Sequence, residues 1–139
     1  AEAWSEGTNE GVSVEPLRLE TLQPFLVFLK EEFPGDWNAV ARAKIRSGDF
    51  STVLIARLDG RVVGFCQWDG EHFGPFGVSA AVRGKKLGAK LFVEACRCIK
   101  VADGRSCWFN WADEDAARFY RRFGFEATRR FAILRLDLK

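Results

Sequence analysis

Gly74–Ala89 reads GPFGVSAAVRGKKLGA, and its two halves call for different structures. The first half, ending near Val78, is an apolar strand disturbed by Gly74, Pro75 and Gly77. Pro75 cannot donate to a ladder, so pairing fails or bulges there, and such a defect is often where a ligand's backbone-like groups enter. The second half, Arg83-Gly84-Lys85-Lys86-Leu87-Gly88, opens a helix. Three cations crowd its first turn, where the partial positive charge of a helix makes cations unfavourable. The N–H groups of that turn lack intrahelical partners and point outward. An anion resolves the conflict, and phosphate is the foremost candidate.

The flanking segments set this unit in a layered domain. Thr52–Leu58 and Val62–Trp68 are β-rich runs joined by Asp59-Gly60, a two-residue hairpin signal, and Glu71–Val78 is the next strand. Upstream, Val12–Leu17 reads as a short strand. Thr21 then caps a helix with apolar residues at Leu22, Phe25, Leu26 and Leu29, Phe33-Pro34-Gly35 breaks it, and Asp36 caps a second helix to about Arg46. Downstream, the helix from the basic turn runs to about Val101 and stops at Asp103-Gly104. Ser106–Trp111 is a strand, Asp113 caps a short helix to Arg122 that Gly124 ends, and Glu126–Leu138 supplies one long strand or two. The order β-α-α-β-β-β-α-β-α-β predicts an α/β mixed sheet with helices on both faces. Residues 1–11, polar and aperiodic, are expected to be a flexible tail or linker remnant, and 12–139 a single domain.

Composition narrows the function. A chain of 139 residues with 47% hydrophobic and 29% charged residues is an ordinary globular domain. A net charge of +2 is too small for the broad basic face that nucleic acid requires. No apolar run is long enough to span a membrane, and no signal peptide is visible. Cys66, Cys96, Cys98 and Cys107 contain no C-x-x-C pair, and the lone His72 cannot complete a zinc set, so no metal site is expected. Reduced thiols in a cytoplasmic protein are the simplest reading.

The basic turn is not a known nucleotide loop. A Walker loop needs Ser or Thr after its Gly-Lys, whereas Lys86 follows Gly84-Lys85, and Gly74, Gly77 and Gly84 do not make a Rossmann fingerprint. A second constellation lies at Asp113–Phe125, DEDAARFYRRFGF. Tyr120 is the only tyrosine beside 13 phenylalanines. Bulk alone would be served by another Phe, so the hydroxyl suits hydrogen bonding or proton donation.

Together the two pieces carry a resemblance. Val78-x-x-x-x-Arg83-Gly84-x-x-x-Gly88-Ala89 resembles the acyl-CoA pyrophosphate motif of the Gcn5-related N-acetyltransferase (GNAT) superfamily. Ala116-x-x-Phe119-Tyr120-x-x-x-Gly124-Phe125 resembles that family's second motif, at the expected separation. The likeness covers Val12–Leu138, and Phe33–Trp37 with Gly74–Val78 also resemble the C-terminal halves of tandem members.

The resemblance implies a GNAT-like fold: a central mixed sheet of about six or seven strands, splayed in the middle, with about four helices. It implies acetyl transfer from acetyl-CoA to a primary amine, small-molecule or peptide, by direct attack in a ternary complex. The N–H groups of Gly84, Lys85, Lys86, Leu87, Gly88 and Ala89 would hold the pyrophosphate, and Arg83, Lys85 and Lys90 would reach phosphates. Phe76, Gly77 and Val78 would offer backbone groups to pantetheine, with the Val78 N–H polarising the acetyl carbonyl. Phe119 and Asp113 would flank the cofactor, and Tyr120 would protonate the departing thiolate. Asp36, Trp37, Trp68, Trp108 and Trp111 would shape the acceptor pocket. A homodimer or a neighbouring domain is compatible with this reading.

Two residues depart from the pattern. Lys86 stands where the family usually has Gly, a change tolerable provided φ stays negative. Asp113 stands where Asn is frequent; it can still cap the helix but cannot donate a hydrogen bond. These changes leave a rival reading, a GNAT-fold CoA-binding or interaction module that has lost turnover. For the general base, Glu71 and His72 are both candidates, and alternation lets at most one of them face the acceptor cleft.

Overall fold

The structure, a computed structural model, describes residues 11–83, 86–110 and 112–138, and of Trp37 only the helical backbone. The readings placed on residues 1–10, Gly84, Lys85, Trp111 and the Trp37 side chain therefore lie outside the described residues. The chain divides into two compact units, one ending at Phe109 and the other comprising Asn110–Lys139.

The first unit runs β1 (Val12–Pro16), α1 (Leu19–Glu32), α2 (Asp36–Arg46), β2 (Val53–Leu58), β3 (Arg61–Asp69), β4 (His72–Val78) and α3 (Leu87–Val101). Four strands pair in the order β1-β2-β3-β4, every neighbour antiparallel. The hairpin turns where expected: Asp59 and Gly60 have φ of 50° and 81°, the left-handed pair that a two-residue turn between twisted strands requires. Helix α1 begins earlier than expected. Arg18 is its N-cap, and Thr21 closes the capping box from inside, its hydroxyl accepting the Arg18 N–H at 3.1 Å.

Side-chain alternation assigns the helices to opposite faces. Phe65 on β3 points to α1, its ring 5.5 Å from Phe25 and 6.3 Å from Phe28. Its neighbours point the other way: a side chain at Gly64 would meet Leu91 of α3, and Cys66 Sγ lies 3.8 Å from the Leu91 carbonyl oxygen. Val53–Ala56 of β2 is buried throughout because both faces are covered. Leu17, Phe25, Leu29, Ala41, Ile55 and Phe65 form one core cluster, and on the other side α3 buries Leu87, Leu91, Phe92, Ala95 and Ile99.

The sheet is smaller than the six or seven strands expected. Of the expected strand Ser106–Trp111, the described residues contribute one parallel bridge, Trp108 to His72, rather than a ladder strand. Residues 126–138 form no strand among the described residues. Their apolar content suits a strand, but an extended chain becomes one only when a neighbour accepts its N–H groups and donates to its carbonyls. In the second unit, Asn110–Lys139, helix α4 (Glu114–Arg121) is the regular element described.

Candidate active site

The disturbed strand and the basic turn are consecutive. β4 pairs with β3 through Gly64–Val78, Phe65–Gly77 and Cys66–Phe76, slips, and resumes at Trp68–Phe73. The surplus residue falls at Gly74-Pro75, where Pro75 predicts a bulge, and Gly74 has φ 117°. Ser79 donates its N–H to the Val63 carbonyl at 2.8 Å. By alternation Phe65–Gly77 is a hydrogen-bonded pair, and Phe76 and Val78 turn their N–H and C=O to the side away from β3. On that side the chain at 106–109 meets only the start of β4. Phe73 donates to the Trp108 carbonyl at 2.8 Å and Trp108 to the Glu71 carbonyl at 3.0 Å, and this is the one bridge described between the two segments. The two segments meet at His72 and share no described bridge further along, toward Val78.

A 3-10 turn, Ala80–Val82, joins this edge to α3. Val82 and Leu87 bury their side chains as anchors, whereas Arg83, Lys86 and Lys90 are exposed and Gly88 and Ala89 half-buried. Lys86 is the N-cap and supplies no side-chain cap hydrogen bond to the positive end of this 15-residue helix. Lys86 also corrects an expectation: its φ is 59°, not negative. The position at which the motif favours glycine is the one where the backbone enters the left-handed region, and a side chain there costs on the order of 1 kcal/mol. Lys86→Gly is expected to raise thermal stability by a few tenths to about 1 kcal/mol, part of the relief being offset by the greater chain entropy of glycine. Thermal unfolding of the two proteins checks this; a lower Tm for the glycine variant would show that the Lys86 side chain makes a contact worth more than the strain.

Glu71 and His72 behave differently. Glu71 Oε1 accepts the backbone N–H groups of Arg105 at 2.7 Å and Ser106 at 3.2 Å, and Oε2 accepts the Ser106 hydroxyl at 2.7 Å. The Arg105 N–H first, then the Ser106 hydroxyl and N–H, hold this carboxyl below its ordinary value of 4.5. Glu71 is thus a clamp on the segment that crosses β4. Because the folded value is depressed, its stabilisation is complete above about pH 4.5 and is lost as pH falls through the folded value. Glu71→Gln is therefore expected to lower Tm at pH 7, by an amount that shrinks as pH falls below about 4.5, in a melting series from pH 7 to pH 3. A pH-independent difference would remove the charge from the explanation. His72 is half-buried and its ring lies 4.5 Å from that of Trp108, which is 49% exposed, while Trp68 is a core residue at 5%.

In the second unit, Asp113 caps α4 as the sequence predicts, Oδ1 accepting the Ala116 N–H at 2.8 Å. Gly124, at φ 91°, ends the turn, with the Phe125 N–H bonded to the Tyr120 carbonyl at 3.3 Å. The buried Tyr120 ring lies 5.2 Å from Phe119 and 5.3 Å from Phe125. Those contacts pack the ring among aromatic neighbours. The cysteines are all free, and burial pushes the Cys66 thiol up, away from nucleophilic use. No helix among the described residues is long and apolar enough to cross a membrane.

Three long-range features left no trace in the sequence: the Glu71 clamp, a hydrogen bond from the Ser79 hydroxyl to Glu32 Oε1 at 2.9 Å, and the packing of Phe33 on Gly77. Each joins residues more than thirty positions apart, beyond the reach of any local pattern.

The described geometry is that of an α/β domain with helices on both faces of its sheet, a bulged strand β4 and an α3 start without a side-chain cap. The family model for the acetyltransferase (GNAT) domain matches residues 49–127, more than half of the chain, and the chain belongs to that family. A comparison with curated protein sequences returns no match. Among solved structures, AAC(6′)-Iy in complex with the bisubstrate analogue CoA-S-monomethyl-acetylneamine is similar at a TM-score of 0.72, with 17% identity over 91% of this chain and 99% of that one. Arabidopsis thaliana Naa50 in complex with the bisubstrate analogue CoA-Ac-MVNAL is similar at 0.64, with 23% identity over 86% and 85%. A GNAT family acetyltransferase from Brucella melitensis in complex with acetyl-CoA is similar at 0.64, with 22% identity over 84% and 83%. At these identities the likeness is one of fold.

Proposed function

We propose that this chain is an acetyl-CoA-dependent N-acetyltransferase acting on a primary amine in a ternary complex. The observation that carries the reading is the bulged β4 edge leading directly into the uncapped, cation-flanked start of α3. Acetyl-CoA would supply the acyl group as an activated thioester, whose C–S bond breaks as the C–N bond of the product amide forms. The N–H groups of Leu87, Gly88 and Ala89 suit the pyrophosphate, with the helix dipole behind them and Arg83, Lys86 and Lys90 around them. The outward backbone groups at Phe76 and Val78 suit the amides of pantetheine, and the Val78 N–H suits the acetyl oxygen as charge develops there.

Tyr120 is the residue we assign to give a proton to the departing sulfur, as its motif implies. His72 is a better candidate than Glu71 to take the proton from the attacking amine. Both carboxylate oxygens of Glu71 are engaged by the 105–106 segment, and its depressed pKa makes it a weaker base.

Lys86 favours a second reading, a CoA-binding module without turnover, because a side chain stands where the backbone bends in the glycine region. Calorimetry with acetyl-CoA and CoA, followed by thiol release over a panel of amines, separates the two. Binding with release supports the enzyme, and binding without release from any amine supports the module. Absence of heat with either ligand removes the phosphate argument.

A further inference from the structure

The outer surface of the α1–α2 pair carries charge that the core does not require. An open cavity of about 400 Å³ lies between the helices, lined by Lys30 of α1, by Asn38, Arg42 and Arg46 of α2, and by Pro34 and Gly35 between them. A second cavity of about 250 Å³ adjoins it and shares Lys30 and Arg42. Among the described residues no carboxylate lines either one, and no ion pair involves Lys30, Arg42 or Arg46. Lys30 and Arg46 lie in last helical turns, where the dipole favours a cation. That explains each charge singly but not their convergence on one groove with Arg42. Arg42 Nε donates to Asn38 Oδ1 at 2.6 Å, which fixes the guanidinium, while no described residue accepts from its Nη atoms.

One end of the groove's lining, Pro34 and Gly35, directly follows Phe33, a residue in contact with β4. Phe33 packs on Gly77, so closely that a Cβ there would lie 2.4 Å from its ring, and Phe33 leads through Pro34 directly into the lining. Glu32, at the end of α1, is held by the Ser79 hydroxyl at the end of β4. Glu31, Glu32 and Asp36, the nearest carboxylates in sequence, do not line the cavity.

We infer that this groove receives the anionic part of the acceptor: the amine substrate also bears a phosphate or carboxylate, which Arg42, Arg46 and Lys30 hold. The inference rests on the acetyl-transfer reading. Like charges gathered without a counter-ion repel one another, and a guanidinium fork matches the oxygens of a phosphate or carboxylate.

The test compares ethanolamine, O-phosphoethanolamine and β-alanine as acceptors at fixed ionic strength, together with backbone-amide NMR titration of the same three compounds. The expected result is a kcat/KM at least about tenfold higher for an anionic amine than for ethanolamine, a preference that Arg42→Gln/Arg46→Gln reduces by about tenfold. The phosphate and carboxylate arms show which anion is preferred. Amide shifts at Asn38, Arg42 and Arg46 with O-phosphoethanolamine or β-alanine support the groove whether or not turnover occurs, and their absence with both overturns it. Equal rates for neutral and anionic amines, or an unchanged preference in a double variant of wild-type Tm, also overturn it. Shifts in the groove with no thiol release from any amine, in these arms or across the wider panel, overturn the acetyl-transfer reading, and with it the role of the groove as an acceptor site.

Discussion

Tyr120→Phe is expected to lower kcat on the order of 10²-fold while the dissociation constant of acetyl-CoA changes less than about twofold. The substitution removes one oxygen and keeps the ring. The ring contacts with Phe119 and Phe125, 5.2 and 5.3 Å between centroids, are therefore retained. What is lost is the hydroxyl proposed to give a proton to the departing sulfur. A loss of 10²-fold corresponds to about 2.7 kcal/mol of barrier, within the range of a positioned acid. Because that interaction is absent from the ground state, binding should be spared. Stopped-flow thiol release with any accepted amine, beside calorimetry for acetyl-CoA, reads the two quantities separately. An unchanged kcat would strip Tyr120 of this role, and a matching loss of affinity would make it a binding residue.

The second large effect is expected at Gly77→Ala, with a loss of about 1–3 kcal/mol of stability. Gly77 faces the same side of the sheet as Phe65, its partner in register. An added Cβ would lie 2.4 Å from Phe33 Cζ and 2.8 Å from Cε1, distances at which an atom must move. The Phe33 ring has little room to do so, its centroid being 5.7 Å from that of Phe28 and 5.7 Å from that of Phe65. The strain therefore passes to β4, whose outer backbone groups are the proposed pantetheine edge, and acetyl-CoA affinity should weaken with stability. Chemical denaturation measures the loss. Combining Gly77→Ala with Phe33→Leu, which lacks the distal ring atoms, should recover part of it. If the double variant is as destabilised as the sum of the two single ones, the clash is not the cause.

Gly77 shows how a residue is legible in sequence for one reason and fixed in structure by another. The resemblance marks Gly77 as part of the strand offering backbone to pantetheine, yet the structure also gives it a packing partner 44 positions away, in the break after α1. Lys86 is the converse. The departure from glycine is plain in the sequence, but its cost depends on a φ of 59° that only the turn geometry reveals. The hairpin at Asp59-Gly60, the bulge at Pro75 and the Asp113 cap were all legible, because each is a local backbone requirement met by residues within a few positions.

The strand count was not legible to the same degree. Residues 126–138 have the composition of a strand, but a ladder needs a second chain segment in register, and no local pattern supplies one. The partners of Glu71 were hidden for a similar reason. Its position at the head of β4 suggested a base, whereas its carboxylate is engaged by N–H and O–H groups 34 and 35 residues away.

The chain of residues by itself determines the hairpin turn, the bulge, the Asp113 cap and the two motifs that mark the family, since each rests on dihedral preferences and hydrogen bonds within a few residues. The starts of α1 and α2 fall at Arg18 and Gly35 rather than at the expected Thr21 and Asp36. Tertiary structure alone gathers Phe33 onto Gly77, Glu71 onto Arg105 and Ser106, and Lys30, Arg42 and Arg46 around one groove. Burial and charge convergence are properties of surfaces, and a surface exists only after distant segments have packed.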